Sequence, residues 1–126
     1  MSRMVVIVDD SKTVRASVEY ILKKEGYQVV QAADGIEGVA KLEELRQKGM
    51  RPGMIISDIN MPNMDGIHFI TEIKKSMYYK FVPVLVLTTE SQNEKMMEGK
   101  NAGAAGWLVK PFSHEQLVGV VKKFVK

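Results

Sequence analysis

The sequence predicts an α/β fold in which five parallel strands form one sheet and helices cover both of its faces. Three observations carry that prediction. The short β-branched runs are continuously apolar, as strands buried on both faces require, rather than alternating between core and solvent. A stretch of helical period follows each run, and a parallel strand pair needs such a crossover. The connections are short, and 126 residues leave no room for a second core, so one domain is expected over residues 1–126.

The first run, "MVVIV" from Met4, is followed by Val14, Val18 and Ile21 at helical spacing, with Gly26 placed to end that helix. A weaker strand, "YQVVQA" from Tyr27, precedes a second helix whose apolar positions are Ile36, Val39, Ala40, Leu42 and Leu45, ending before Gly49. "MIIS" from Met54 is the third strand, and Phe69, Ile70 and Ile73 mark the third helix. "VLVLT" from Val84 is the fourth strand. Ser91 with Glu94 has the spacing of a capping box and starts the fourth helix. "WLVK" from Trp107 is the last strand. Ser113 with Gln116 repeats the capping spacing, and Leu117, Val120, Val121 and Phe124 form the apolar stripe of the fifth helix.

Right-handed crossovers that cover both faces make this a doubly wound sheet, and for five strand–helix units the common choice is the flavodoxin-like strand order 2-1-3-4-5. Ligands of such folds sit outside the carboxyl ends of the strands, where the order reverses.

Composition narrows the function. With 45% hydrophobic and 26% charged residues the chain reads as globular, and with no cysteine it can form no disulfide and do no thiol chemistry. The net charge of +3 comes from lysines spread over every helical segment instead of gathered in one arm, so no nucleic-acid partner is expected. The apolar run in "MSRMVVIVDD" meets two aspartates too soon for a signal peptide, and no stretch approaches a membrane span. A cytoplasmic protein with no membrane partner is the expectation.

The strand ends hold the chemistry. Strand one ends in Asp9-Asp10, strand three in Asp58, strand four in Thr88-Thr89 and strand five in Lys110-Pro111. Any one of these alone reads as a helix cap or an ordinary strand terminus. In the assumed order they form one cluster of three carboxylates, a hydroxyl and an ammonium. Carboxylates brought that close resist sharing a site unless a cation intervenes, and Mg2+, or Mn2+, suits one or two carboxylates plus a phosphate oxygen. Lys110 and Thr88 are natural partners for phosphoryl oxygens, so the chemistry indicated is phosphoryl transfer onto Asp58, catalysed by positioning and charge neutralisation.

With those residues in place, the whole chain resembles the receiver domain of two-component response regulators, most of all the stand-alone CheY-like type known from chemotaxis. The resemblance lies in "VVIVDDS" (Val5 to Ser11), "ISDINMPNMDG" (Ile56 to Gly66), "VLVLTTE" (Val84 to Glu90) and "NAGAAGWLVKPF" (Asn101 to Phe112). It implies that Asp58 is the phosphoacceptor. Asp10 and Asp58 would offer carboxylate ligands to the metal, Asn60 its backbone carbonyl, and Asp9 would act through a bound water. Lys110 would pair with Asp58 and then with the phosphoryl group, with a cis bond to Pro111. Thr88 would be the switch hydroxyl and Trp107 the switch aromatic, where the family usually has tyrosine or phenylalanine; a tryptophan simply packed at the sheet edge is the alternative. Asn60 and Glu90 match residues that favour fast loss of the phosphoryl group, while Thr89 stands where a small residue is usual and would narrow access.

The implied partners are a sensor histidine kinase or phosphotransfer protein as donor, and an output protein on the face of the fourth helix, fifth strand and fifth helix. That face spans Ser91 to Asn101, with Trp107 and His114; Met96 and Met97 are expected as packing residues there, His68 and His114 as surface residues. The protein is then a switch, not a turnover enzyme. Two other readings compete. An aspartyl-phosphate phosphatase of the haloacid-dehalogenase type needs a second aspartate as acid, where Asn60 has no proton to give. A flavin-binding module needs a phosphate loop after strand one, where "DDSKT" repels phosphate. A receiver-like scaffold that works without phosphorylation is the remaining alternative.

Overall fold

The computed structural model describes residues 2–89 and 93–125. Strands β1 (Met4–Val8), β2 (Gln28–Ala32), β3 (Met54–Ser57), β4 (Val84–Thr88) and β5 (Gly106–Val109) alternate with helices α1 (Lys12–Lys24), α2 (Gly35–Gln47), α3 (Gly66–Lys74), α4 (Asn93–Ala102) and α5 (His114–Phe124). They form one parallel sheet in the order β2-β1-β3-β4-β5. The strand bounds follow the apolar runs, except that β2 begins one residue late, at Gln28, and β5 one residue early, at Gly106, leaving Lys110 just beyond its end.

The period of two splits each strand between two cores. Val5, Ile7, Ile56, Leu85 and Leu87 face α1 and α5, where Val18, Leu22, Leu117 and Val121 are fully buried. Val6, Val8, Ile55, Val84 and Val86 face α2 and α3 and pack on Leu42, Phe69 and Ile70. Burying each of these side chains contributes about 2 kcal/mol. All five residues of β1 and of β4 are buried, which is why those segments are apolar almost throughout.

Helix ends follow local chemistry. Ser11, Asp34, Asp65 and Ser113 cap α1, α2, α3 and α5 by accepting from the backbone N–H three residues on, and Ser113 with Gln116 completes a capping box. Gly26 and Gly49 take positive φ just past the ends of α1 and α2, and the next N–H reaches back five residues to close each helix. The Ser91–Glu94 cap expected for α4 lies outside the described residues.

Helix α2 departs from its expected face. Ile36 and Val39 are 53% and 37% exposed and Ala40 is exposed as well, while Gly35, Gly38, Leu42 and Leu45 are buried. The reason is spacing: a Cβ on Gly38 would lie 2.8 Å from Phe69, so the first turns of the helix approach α3 through glycine and turn Ile36 and Val39 outward, while Leu42 and Leu45 pack inward as expected. Met96 and Met97 of α4 are likewise exposed, at 37% and 54%, in contrast to the packing role expected of them. His68 and His114 lie at the surface as expected. Among the described residues no helix is long and apolar enough to cross a membrane.

Candidate functional site

The site begins with hydrogen-bond ladders that run one residue past the strands. Asp9 N–H donates to Ala32, Asp58 N–H to Val8, and Lys110 N–H to Thr88, at 2.8 to 3.1 Å. Because β1 and β3 are in register from Val5↔Met54 to Val8↔Ser57, these bonds put the Asp9 and Asp58 backbones side by side. The backbone positions are therefore set by the sheet and not by a loop.

The side chains then converge. Lys110 Nζ lies 2.8 Å from Asp9 Oδ2 and 3.2 Å from Asp58 Oδ2. The other oxygen of each carboxylate is held by backbone: Ser11 N–H donates to Asp9 Oδ1 at 2.9 Å and Ile59 N–H to Asp58 Oδ1 at 2.7 Å. Asp9 is wholly buried and Asp58 is 6% exposed, whereas Asp10 stands in solvent. Carboxylate oxygens of Asp9, Asp10 and Asp58 all lie within 4.8 Å of one another.

Electrostatics follows from that placement. Burial pushes the Asp9 carboxyl above its ordinary value; Lys110 and the Ser11 N–H pull the other way, and the Asp58 charge adds to the rise. Burial alone would lower the Lys110 pKa, but Asp9 and Asp58 outweigh it and the pKa ends above that of an ordinary lysine. Three carboxylates against one ammonium leave a negative pocket made of hard oxygen donors with one open side. That donor set fits a hydrated Mg2+, which takes few protein ligands and keeps several waters.

Thr88 is wholly buried at the end of β4, and Thr89 beyond it is exposed. Glu90 lies outside the described residues. Trp107 is half-buried on β5, paired with Val86, so it shares the sheet face of Thr88 two residues along. Its ring lies over Gly99 of α4 and lines a cavity of about 370 Å³ with Met96, Met97 and Ala104. A second groove, of about 430 Å³, opens next to Lys110 between Val14, Ser17 and Ile21 of α1 and Phe112. The Lys110-Pro111 bond is cis.

The sheet thus brings together Asp9, Asp10, Asp58 and Lys110, with Thr88 at the neighbouring strand end. Exposed Asn60 follows in the loop after β3. Sequence reasoning missed Ser11 and Arg15. The Ser11 N–H orients the Asp9 carboxylate, and Arg15 Nη1 donates to the Asp9 carbonyl at 2.6 Å. The Ser11 hydroxyl, which caps α1, was the available signal: a helix start three residues past a strand points its first N–H groups at the strand-end residue.

Comparison with known proteins places this arrangement. Residues 5–122 match the family described as response regulator receiver domain. The chain is 36% identical over 121 residues to protein PilG of Pseudomonas aeruginosa, covering 96% of this chain and 86% of PilG. It superposes on the chemotaxis protein CheY4 of Vibrio cholerae with a TM-score of 0.90 and 43% identity, covering 99% of this chain and 100% of that one. The receiver domain of the sensor histidine kinase PA1611 from Pseudomonas aeruginosa, whose crystal structure has a magnesium ion coordinated in the active-site cleft, gives a TM-score of 0.86 at 26% identity, covering 98% of each chain.

Proposed function

The chain belongs to the response regulator receiver family, and from that premise we propose that Asp58 accepts a phosphoryl group from a histidine kinase or phosphotransfer protein and that the chain signals as a binding switch. The observation that carries this reading is the Lys110 ammonium held between the buried Asp9 and the Asp58 carboxylate at the open rim. A cation poised there neutralises charge on an incoming phosphoryl group without having to be recruited.

In this reading an Asp58 oxygen attacks phosphorus, the bond from phosphorus to the donor's imidazole nitrogen breaks, and the imidazole leaves with the electron pair. Ile59 N–H fixes the direction of the carboxylate, Lys110 moves onto the phosphoryl oxygens, and the Thr88 hydroxyl follows. Asp10, Asp58 and the Asn60 carbonyl would hold Mg2+, with the wholly buried Asp9 in indirect contact through a bound water. When bound, the dication supplies neutralisation of the phosphoryl charge. Water later cleaves the acyl phosphate, with Asn60, Thr89 and Glu90 setting its access and a lifetime of seconds to minutes.

The groove beside Lys110 offers an apolar seat for the donor, and the face of α4, β5 and α5, with exposed Met97 and half-buried Trp107, offers one for the output partner. Phosphorylation adds up to about two negative charges near Thr88, and the Trp107 indole is the element proposed to carry the change to that face. The reading describes one domain over residues 1–126 acting in the cytoplasm.

Incubation with Mg2+ and acetyl phosphate followed by intact-mass measurement tests it. A phosphate-sized increase in the wild type and none in Asp58→Asn is expected. No increase with any phosphodonor, in a protein that still signals, would establish the phosphorylation-independent scaffold instead.

A further inference from the structure

The loop that follows Asp58 is anchored at both ends by its own residues. At its start Ile59 N–H is bound to Asp58, Gly66 N–H closes back on the Ile59 carbonyl at 2.8 Å, and Asp65 caps α3. Between them lie Asn60 to Met64, mostly exposed, with Met61 and Met64 partly packed on the core and, among the described residues, one hydrogen bond of the segment's own, from Met64 N–H to the Pro62 carbonyl.

The middle is held from across the sheet. Asn63 Nδ2 donates to Asp34 Oδ2 at 2.8 Å, and Asp34 Oδ1 at the same time accepts from Glu37 N–H as the cap of α2. Asn63 has a φ of 69°, the left-handed conformation that asparagine tolerates better than most residues. A second contact lies beside the first. A Cβ on Gly35 would come within 2.8 Å of Met64 Cγ and of its carbonyl oxygen, so the start of α2 rests directly on the loop. One carboxylate therefore serves two elements: it starts α2 and fixes the apex of the loop that carries Asn60.

From this we infer that Asp34 and Asn63 form a latch that positions the loop bearing Asn60, and with it the ligand set beside Asp58. The inference rests on the phosphoacceptor reading of that site. Both are positioning residues, since neither reaches the carboxylate cluster. The latch also ties α2 to the site, so a partner pressing on the start of α2 would alter phosphoryl chemistry at a distance.

The pair can be reversed, which makes the test specific. Asn63→Gly removes the amide and keeps the left-handed backbone open to the chain. Asn63→Asp sets two carboxylates against each other. Asp34→Asn with Asn63→Asp restores the hydrogen bond with donor and acceptor exchanged, and the amide oxygen then present at position 34 still caps α2. Glu37→Ala is the control: it removes the other half of the α2 cap, the bond from Ala33 N–H to Glu37 Oε1, without touching the loop.

Amide hydrogen exchange across residues 60–64 and the Mg2+ concentration that half-saturates thermal stabilisation are the readouts. Both single Asn63 variants are expected to speed exchange and raise half-saturation by roughly three-fold, the size set by one hydrogen bond. The reversed pair should return both readouts toward wild type, and Glu37→Ala should lower the melting temperature while leaving both unchanged. Wild-type values in Asn63→Gly, or an equal shift in Glu37→Ala, would overturn the latch. A wild type that binds Mg2+ with an intact latch but takes no phosphate would instead overturn the phosphoacceptor reading.

Discussion

Lys110 sits nearer to Asp9, at 2.8 Å, than to Asp58, at 3.2 Å, and Asp9 is the more deeply buried of the two acids. The ammonium therefore answers first the carboxylate that water cannot reach. Removing it leaves Asp9 buried and without its charge partner.

Lys110→Met should thus cost about 2–3 kcal/mol, below the figure for a fully buried pair because the Lys110 and Asp58 side chains keep some contact with solvent. Urea unfolding in chelator measures the loss. Saturating Mg2+ should return part of it; a variant as stable as wild type in chelator would show that Asp9 does not need the lysine.

Burial raises the Asp9 pKa most and the Asp58 charge adds to the rise, so Asp58→Asn relieves that part of it. Without metal, Asp58→Asn should be about 0.5–1 kcal/mol more stable than wild type. With Mg2+ at about ten times its dissociation constant, wild type should gain about 1.4 kcal/mol and Asp58→Asn distinctly less. Melting curves with and without Mg2+ check both signs.

Two helical glycines make a matched pair. A Cβ on Gly119 of α5 meets nothing within 4 Å, so Gly119→Ala should stabilise by about 0.5–1 kcal/mol through helix propensity alone. A Cβ on Gly99 of α4 would lie 2.7 Å from Trp107 Cζ3. Gly99→Ala should therefore lose that gain and move the indole. Trp107 is the chain's one tryptophan, so a change in emission for Gly99→Ala and none for Gly119→Ala is the expected reading.

Tyr79, whose hydroxyl donates to the Leu42 carbonyl, has its pKa pushed up to about 12 from 10.0, mainly by burial. The unfolded chain then releases this proton first as pH rises. The Tyr79 contribution to stability is complete below pH 10, falls above it and is gone once the folded phenol ionises near 12. Denaturant titrations across that window should fall more steeply for wild type than for Tyr79→Phe.

Much of this was legible because the signals are local. Continuous β-branched runs gave β1, β3 and β4 their bounds, and the Ser113–Gln116 spacing gave α5 its start. The meeting of Asp9, Asp10, Asp58 and Lys110 was legible because a doubly wound order makes their strand ends neighbours. The first half of the α2 face was not, because glycine carries no hydrophobic signal: Gly35 and Gly38 share the buried face with the expected Leu42 and Leu45, and Ile36 and Val39 supply a periodicity that points to solvent. The Asp34–Asn63 bond was invisible for another reason. Its Asp-x-x-Glu half, Asp34 with Glu37, is an ordinary cap signal, but the bond spans 29 positions and depends on a left-handed turn at Asn63.

The bonds from Lys110 to Asp9 and Asp58 span 101 and 52 positions of the chain. Synthesis runs from the amino end, so both acids leave the ribosome long before their counter-charge does. A nascent chain therefore has its acidic strand ends before the cation that pairs with them, and that pairing waits for the segment that follows β5. A chain truncated before Lys110 would keep the site's acids and lack the cation that lets them be buried together.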